Sequence, residues 1–261
     1  MNSGSRMQCL LKMTWMEARL FLREPVNAFF TLVFPLMMLV LYGIIFSNIP
    51  AAKPGAQGAG GSYMPPTIDS YVPALTAMII GTTGLMSITI TMATYREKGI
   101  LRRLRTTPVS PLVILAAQVV VVFAMITLGM LLLIAAGNLF FHIRFVGNAF
   151  SLLGGFTLAC LGFFSIGFIL AGTMPSARAA QIVAMSLLYP MLFLSGAFFS
   201  LKLLPAAAQK VSAFLPLTYV VNLLSGLWVG EAWGRHLLDA GVLAGMLVIG
   251  VAISVKTFRW E

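Results

Sequence analysis

Residue types able to do acid–base, nucleophilic or metal chemistry are few in this chain and scattered along it. The 261 residues include two histidines (His142, His236), two cysteines (Cys9, Cys160) and seven Asp or Glu. A hydrolase needs a nucleophile beside a base. Ser195 has no matched histidine, and neither an HExxH run nor paired intramembrane aspartates occur. The cysteines lack CxxC spacing, so no disulfide or metal site is expected from them. No G-x-x-x-x-G-K-[ST] phosphate loop exists either; the glycine-rich run at 58–61 precedes no lysine. The prediction is no catalytic residue, no metal and no cofactor bound by this chain. Any ATP-driven work would need another chain.

One segment is distinguished by its spacing. Residues 95–111 read YREKGILRRLRTTPVSP. After a charged start and Gly99, Ile100, Leu101 and Leu104 share one helix face, while Arg102, Arg103 and Arg105 point largely elsewhere. Thr106, Thr107, Pro108, Ser110 and Pro111 end the turn. A short amphipathic helix of this kind can seat its apolar face in a partner groove and use its charges to fix register. Retention of a basic loop on one side of a membrane is the alternative. That explains the arginines but not the Glu-Lys-Gly start or the Thr-Pro-x-Ser-Pro stop, so docking is preferred.

The elements that must position this segment are membrane helices. Only 9% of residues are charged, against about 25% in soluble domains, and they cluster between long uncharged runs. The net charge of +10 does not mark a nucleic-acid binder, because the basic residues lie between hydrophobic runs rather than on one face. Crossing ~30 Å of hydrocarbon takes about 20 helical residues. Continuous rather than alternating apolar runs favour helices over a β-barrel. Spans are predicted at 26–47, 72–94, 112–139, 149–173, 180–200 and 236–256. The chain reads as all-α: a polytopic membrane protein with six transmembrane helices forming one domain over 1–261.

Two further elements complete it. Residues 6–24 predict an N-terminal interfacial helix: Lys12, Arg19 and Arg23 fall within about 20° of one azimuth, with Leu10 and Phe21 nearly opposite and Trp15 on the flank. It serves as a topological anchor, a partner-binding element, or both. Residues 201–230 contain Pro205, Pro216 and other interruptions, and lipid cannot replace a lost backbone partner. They predict an external re-entrant helix pair before the last span, with a seventh span over 211–230 as the alternative. The Gly/Ala-rich linker at 51–62 argues against a large external domain. Twelve Lys or Arg fall on one side of this topology and five on the other. Both termini are therefore expected to be cytoplasmic.

The order REKGILRRLRTTPVSP between spans two and three, SGAFFSLKLLPAAAQKVSAFLPLTYVVNLL at 195–224, and Arg23-Glu24-Pro25 before the first span resembles the ABC-2 type transporter permeases. The resemblance covers essentially the whole chain. It implies a coupling segment at 95–111 with Glu97, Gly99, Arg102, Arg103, Leu104, Thr107, Pro108 and Ser110 as coupling residues. It further implies a permease in the plasma membrane, a separate cytoplasmic ABC ATPase holding ATP and Mg, a second permease subunit, membrane lipid around it, and an exported hydrophobic or amphipathic cargo. A passive channel or scaffold without ATP coupling is the rival reading. Pro205, Pro216 and Tyr219 would belong to an external lid. Thr76, Thr83 and Ser87, in the hydroxyl-rich second span, either line a substrate path or bond their own helix. Gly241 and Gly245, a GxxxG pair, are expected to pack inside the subunit, and Pro35 and Pro190 to kink their helices.

Overall fold

A computed structural model describes residues 13–21, 28–46, 68–100, 111–199, 201 and 204–257. Helix α1 covers 13–21. A π-helical turn, Phe29–Val33, leads into α2, Phe34–Phe46. The second span joins α3 (Ile68–Ile79), a π-helical stretch Ile80–Ser87, and α4 (Ile88–Glu97). Then follow α5 (Pro111–Phe141), α6 (Ala149–Thr173) and α7 (Ala177–Leu194). Two short helices, α8 (Ala206–Ser212) and α9 (Pro216–Trp228), precede a 3₁₀ turn Trp233–His236 and α10, Leu237–Thr257. The described residues are all helix and connection, as expected. Among the described residues, five helices are long and apolar enough to cross a membrane; the shorter apolar helix Phe29–Ile45 packs beside them.

The second span is the hub. Most of its length is buried, whereas the more apolar α5 and α10 are largely exposed. Exposure to lipid requires apolar side chains, while a helix shielded by protein can carry Thr, Ser and Gly for close packing. That is why the most hydroxyl-rich run lies innermost. The turn before α2 widens for an identifiable reason. Pro35 has no N–H to bond the Thr31 carbonyl, and the Phe34 N–H bonds Phe29 instead. Thr31 and Thr83, one from each π-helical stretch, join hydroxyls at 2.8 Å.

Several boundaries differ from expectation. The fifth span runs Ala177–Leu194 rather than 180–200. Ser176 caps its start, accepting the Ala179 N–H at 3.2 Å, and Gly196, with φ of +91°, turns the chain away soon after its end. The second span extends to Glu97 rather than 94, because its last polar residues bond neighbouring helices (below). The GxxxG expectation is overturned. A Cβ at Gly241 or Gly245 would meet nothing within 4 Å. The close approach of α10 to α6 uses Gly250, where a Cβ would overlap Ser165, and Gly162, where it would press on Met246. Periodicity locates a small-residue face but not the direction it points.

Helices α8 and α9 meet at 91°. The corner is built by Leu-Pro-x-Thr-Tyr. Pro216 sits at the first turn of α9, where a missing N–H costs nothing. The Thr218 hydroxyl donates to Ser212 O (2.7 Å) and the Tyr219 hydroxyl to Ala213 O (2.6 Å), satisfying carbonyls that end α8. Leu217 then packs beneath Gly81, twelve residues, or about 18 Å, along the second span from Asp69. The far end of α9 meets the loop after α5, where the Gly147 N–H donates to Trp228 O at 3.0 Å. Helix α9 therefore rises from mid-depth to the same end as Asp69, a re-entrant course rather than a crossing. Pro205 caps α8.

Candidate functional site

The end of the bundle bearing Glu97 carries a junction made by three consecutive residues. The Tyr95 hydroxyl donates to Glu17 Oε1 of α1 at 2.7 Å. One guanidinium nitrogen of Arg96 donates to Gly172 O at 2.6 Å, taking a carbonyl from the last turn of α6, where positive charge is favoured. Glu97 Oε2 accepts the Ala177 N–H at 2.8 Å, placing negative charge at the start of α7. Gly99 then adopts φ of +64°, a left-handed turn suited to glycine, and its N–H bonds Arg96 O at 3.0 Å. One turn of the second span thus grips α1, the end of α6 and the start of α7.

Of the expected coupling residues, Glu97 and Gly99 lie in this junction; Arg102, Arg103, Leu104, Thr107, Pro108 and Ser110 lie outside the described residues. Tyr95, Arg96 and Glu17 were not singled out from sequence. Their partners are 76 to 80 positions away for the segment's side chains on α6 and α7 and 78 away for Glu17. The alternation of acidic and basic residues was the only available signal. Helix α1 meets expectation in presenting Arg19 outward and burying Phe21; Trp15, expected on the flank, is exposed, with the Arg19 guanidinium 5.1 Å from its indole centroid.

A second feature is an apolar cavity of about 280 Å³ between Phe30 and Phe34, Met78, Thr82 and Met86 of the second span, and Leu188, Tyr189, Leu192 and Phe193 of α7. It lies against both π-helical stretches, and such departures from the α-helix recur at functional sites. Thr82 lines it while donating to Met78 O at 2.9 Å. Thr76 donates to Val72 O of its own helix, and Thr83 bonds Thr31. Ser87 borders a different cavity nearer the junction.

The two histidines sit in different surroundings. His142 is exposed and ends α5 with φ of 51°. His236 is mostly buried, with Nε2 2.9 Å from Glu231 and Nδ1 2.9 Å from Asp239. Both carboxylates lie within five positions of it, close enough in sequence to have been noticed.

Together these features define a multi-pass α-helical membrane protein whose central span is tied at one end to three neighbours. The family model of the ABC-2 type transporter matches residues 8–228, and the chain belongs to that family. This is a membrane domain that lacks ATPase activity. Nodulation protein J of Rhizobium leguminosarum bv. viciae is 33% identical over 99 residues, 38% of each chain. Nodulation protein J of Rhizobium meliloti (strain 1021) is 30% identical over 102 residues, 39% of each. These matches span well under half the length of either relative.

Proposed function

We propose that this chain is the permease subunit of an ATP-driven exporter. It pairs with a separate cytoplasmic ABC ATPase, which holds ATP and Mg, and with a second permease subunit. Its cargo is hydrophobic or amphipathic, a drug, lipid or glycolipid, moved outward across the plasma membrane. The observation that carries this reading is the junction at Tyr95, Arg96 and Glu97. A push on the segment at 95–111 reaches α1, α6 and α7 through hydrogen bonds rather than through a loose loop. Because α7 and the second span also wall the 280 Å³ apolar cavity, the same push alters that cavity, which fits it as the cargo path. The bent α8–α9 pair closes its far end as a lid.

Two experiments test this. Reversing charge at Arg102 and Arg103 is expected to cut transport per ATP hydrolysed by about five- to 150-fold, the range of a 1–3 kcal/mol coupling free energy, while membrane insertion is kept. Unchanged coupling would remove those arginines from the docking surface, and transport by the chain with no ATPase would favour the passive channel. The topology is read separately. A cysteine at Ala56 should react with an impermeant thiol reagent in intact cells and one at Thr106 should not; the reverse pattern would place the termini outside.

A further inference from the structure

His236 ends the 3₁₀ turn that links α9 to α10, at the end of the bundle opposite the Glu97 junction. Its Nε2 is 2.9 Å from Glu231 Oε2 and its Nδ1 2.9 Å from Asp239 Oδ2. Ionised carboxylates only accept, so both bonds form only when both ring nitrogens carry hydrogen. The ring that fits this site is the imidazolium. It lies against the backbone of Gly226, where a Cβ would overlap Nε2, in the last turn of α9, and a helix C-terminus favours a cation. Asp239 sits in the first turn of α10, where an anion is favoured. Other charges nearby are few. Arg235, exposed, stands 3.7 Å from Glu231 Oε1. The loop after α5, which rests on the end of α9, carries His142 and Arg144, both exposed. Helices α6 and α9, packed against α10, carry no Asp, Glu, Lys, Arg or His.

The two carboxylates are not equivalent. The Asp239 side chain is 12% exposed and that of Glu231 38%. Glu231 keeps Arg235 as a second cation, and losing a donor costs more at the buried Asp239. A ring that gives up one proton to solvent therefore keeps its Nδ1–H on Asp239 and releases Glu231. Glu231 follows α9 closely. Its N–H donates to Gly226 O at 2.9 Å, and Gly230, with φ of +87°, turns the chain between them. We propose that His236 is a positioning residue whose second proton clasps the end of α9 to the start of α10, making the seating of α9 pH-dependent. The clasp holds while the ring carries two protons and loosens when it carries one. That α9 belongs to an external lid rests on the function proposed above. The clasp itself is read without transport, so the two fail separately.

The chain has two histidines, so His142→Gln, at an exposed position, leaves a single ring to observe. Nitrogen NMR of this full chain in lipid bilayers, labelled at histidine, counts the ring protons between about pH 5 and pH 8, where histidines change charge. Two protons are expected at the acid end and one, on Nδ1, at the other. Hydrogen exchange over 226–231 reads the clasp, set against the same residues as a free peptide to remove the intrinsic effect of pH. Relative exchange should rise about tenfold across that range, the worth of one charge-assisted hydrogen bond. His236→Gln and Glu231→Ala should exchange fast at both ends, with no such step. Should either variant not fold, the proton count on the intact clasp decides alone. One proton throughout leaves Glu231 unclasped, two throughout make a fixed brace, and a last proton on Nε2 keeps Glu231 held; each overturns the proposal. So does a Glu231→Ala chain that exchanges like wild type at about pH 5.

Discussion

Glu97→Ala is expected to lower transport per ATP hydrolysed by about tenfold or more, within the five- to 150-fold span of ordinary coupling energies, while Glu97→Gln lowers it only about two- to fivefold. The contrast separates two roles for one carboxylate. In the structure Glu97 accepts the Ala177 N–H across 80 positions, so its first duty is to fasten the second span to α7. Glutamine keeps an oxygen for that bond and loses only the favourable charge at a helix start, about 0.3–1 kcal/mol. Alanine loses the bond as well. A carboxylate that instead met a basic groove on the ATPase would need its charge, and glutamine would then be as damaging as alanine. Parallel assays of cargo flux and ATP hydrolysis on the reconstituted complex decide this. Equal damage by the two substitutions would move Glu97 from the internal junction to the docking face.

The junction also marks where sequence reasoning stops. Spans were legible because lipid imposes a simple rule: long, continuous apolar runs with charges at the ends. The re-entrant pair was legible because Pro205 and Pro216 interrupt an apolar run where water cannot repair the backbone. The segment at 95–111 was recognisable as an element, but what its polar residues bond was not. Arg96 and Glu97 meet Gly172 and Ala177, a carbonyl and an amide that every residue possesses, so no side-chain pattern marks them as partners. Gln118 of α5, buried at 3% exposure, was illegible for a similar reason. It is one polar residue in a helix mostly exposed to lipid, and periodicity does not say that it faces the interior. The π-helical stretches are a third case. Pro35 announced a break, but the widening at Ile80–Ser87 has no proline within it and has no account in the local sequence.

Gly147→Ala is expected to cost about 2–4 kcal/mol and to lower the melting temperature of the detergent-solubilised chain by roughly 5–15 °C. The loop after α5 rests on the end of α9 at Gly147. Its N–H donates to Trp228 O, and a Cβ at this position would overlap the Leu227 carbonyl oxygen. A flexible side chain could swing aside from such an overlap; a carbonyl engaged in the closing turn of a helix cannot. The Gly230 N–H bonds that same oxygen at 3.3 Å. The loop must therefore lift, adding a lost hydrogen bond of about 1 kcal/mol to an overpacking cost of about 1–3 kcal/mol. Lifting also strips Phe145 from the buried Trp228, whose rings meet edge-on at 4.9 Å. Gly241→Ala is the matched control: nothing lies within 4 Å of a Cβ there, and alanine has the better helix propensity by up to about 1 kcal/mol, so its melting temperature should hold or rise. Both residues are glycines in an apolar chain, and only the packing around them separates the outcomes. A Gly147→Ala chain that melts with wild type would show that the loop does not rest on α9, and the seating of the proposed lid would fall with it.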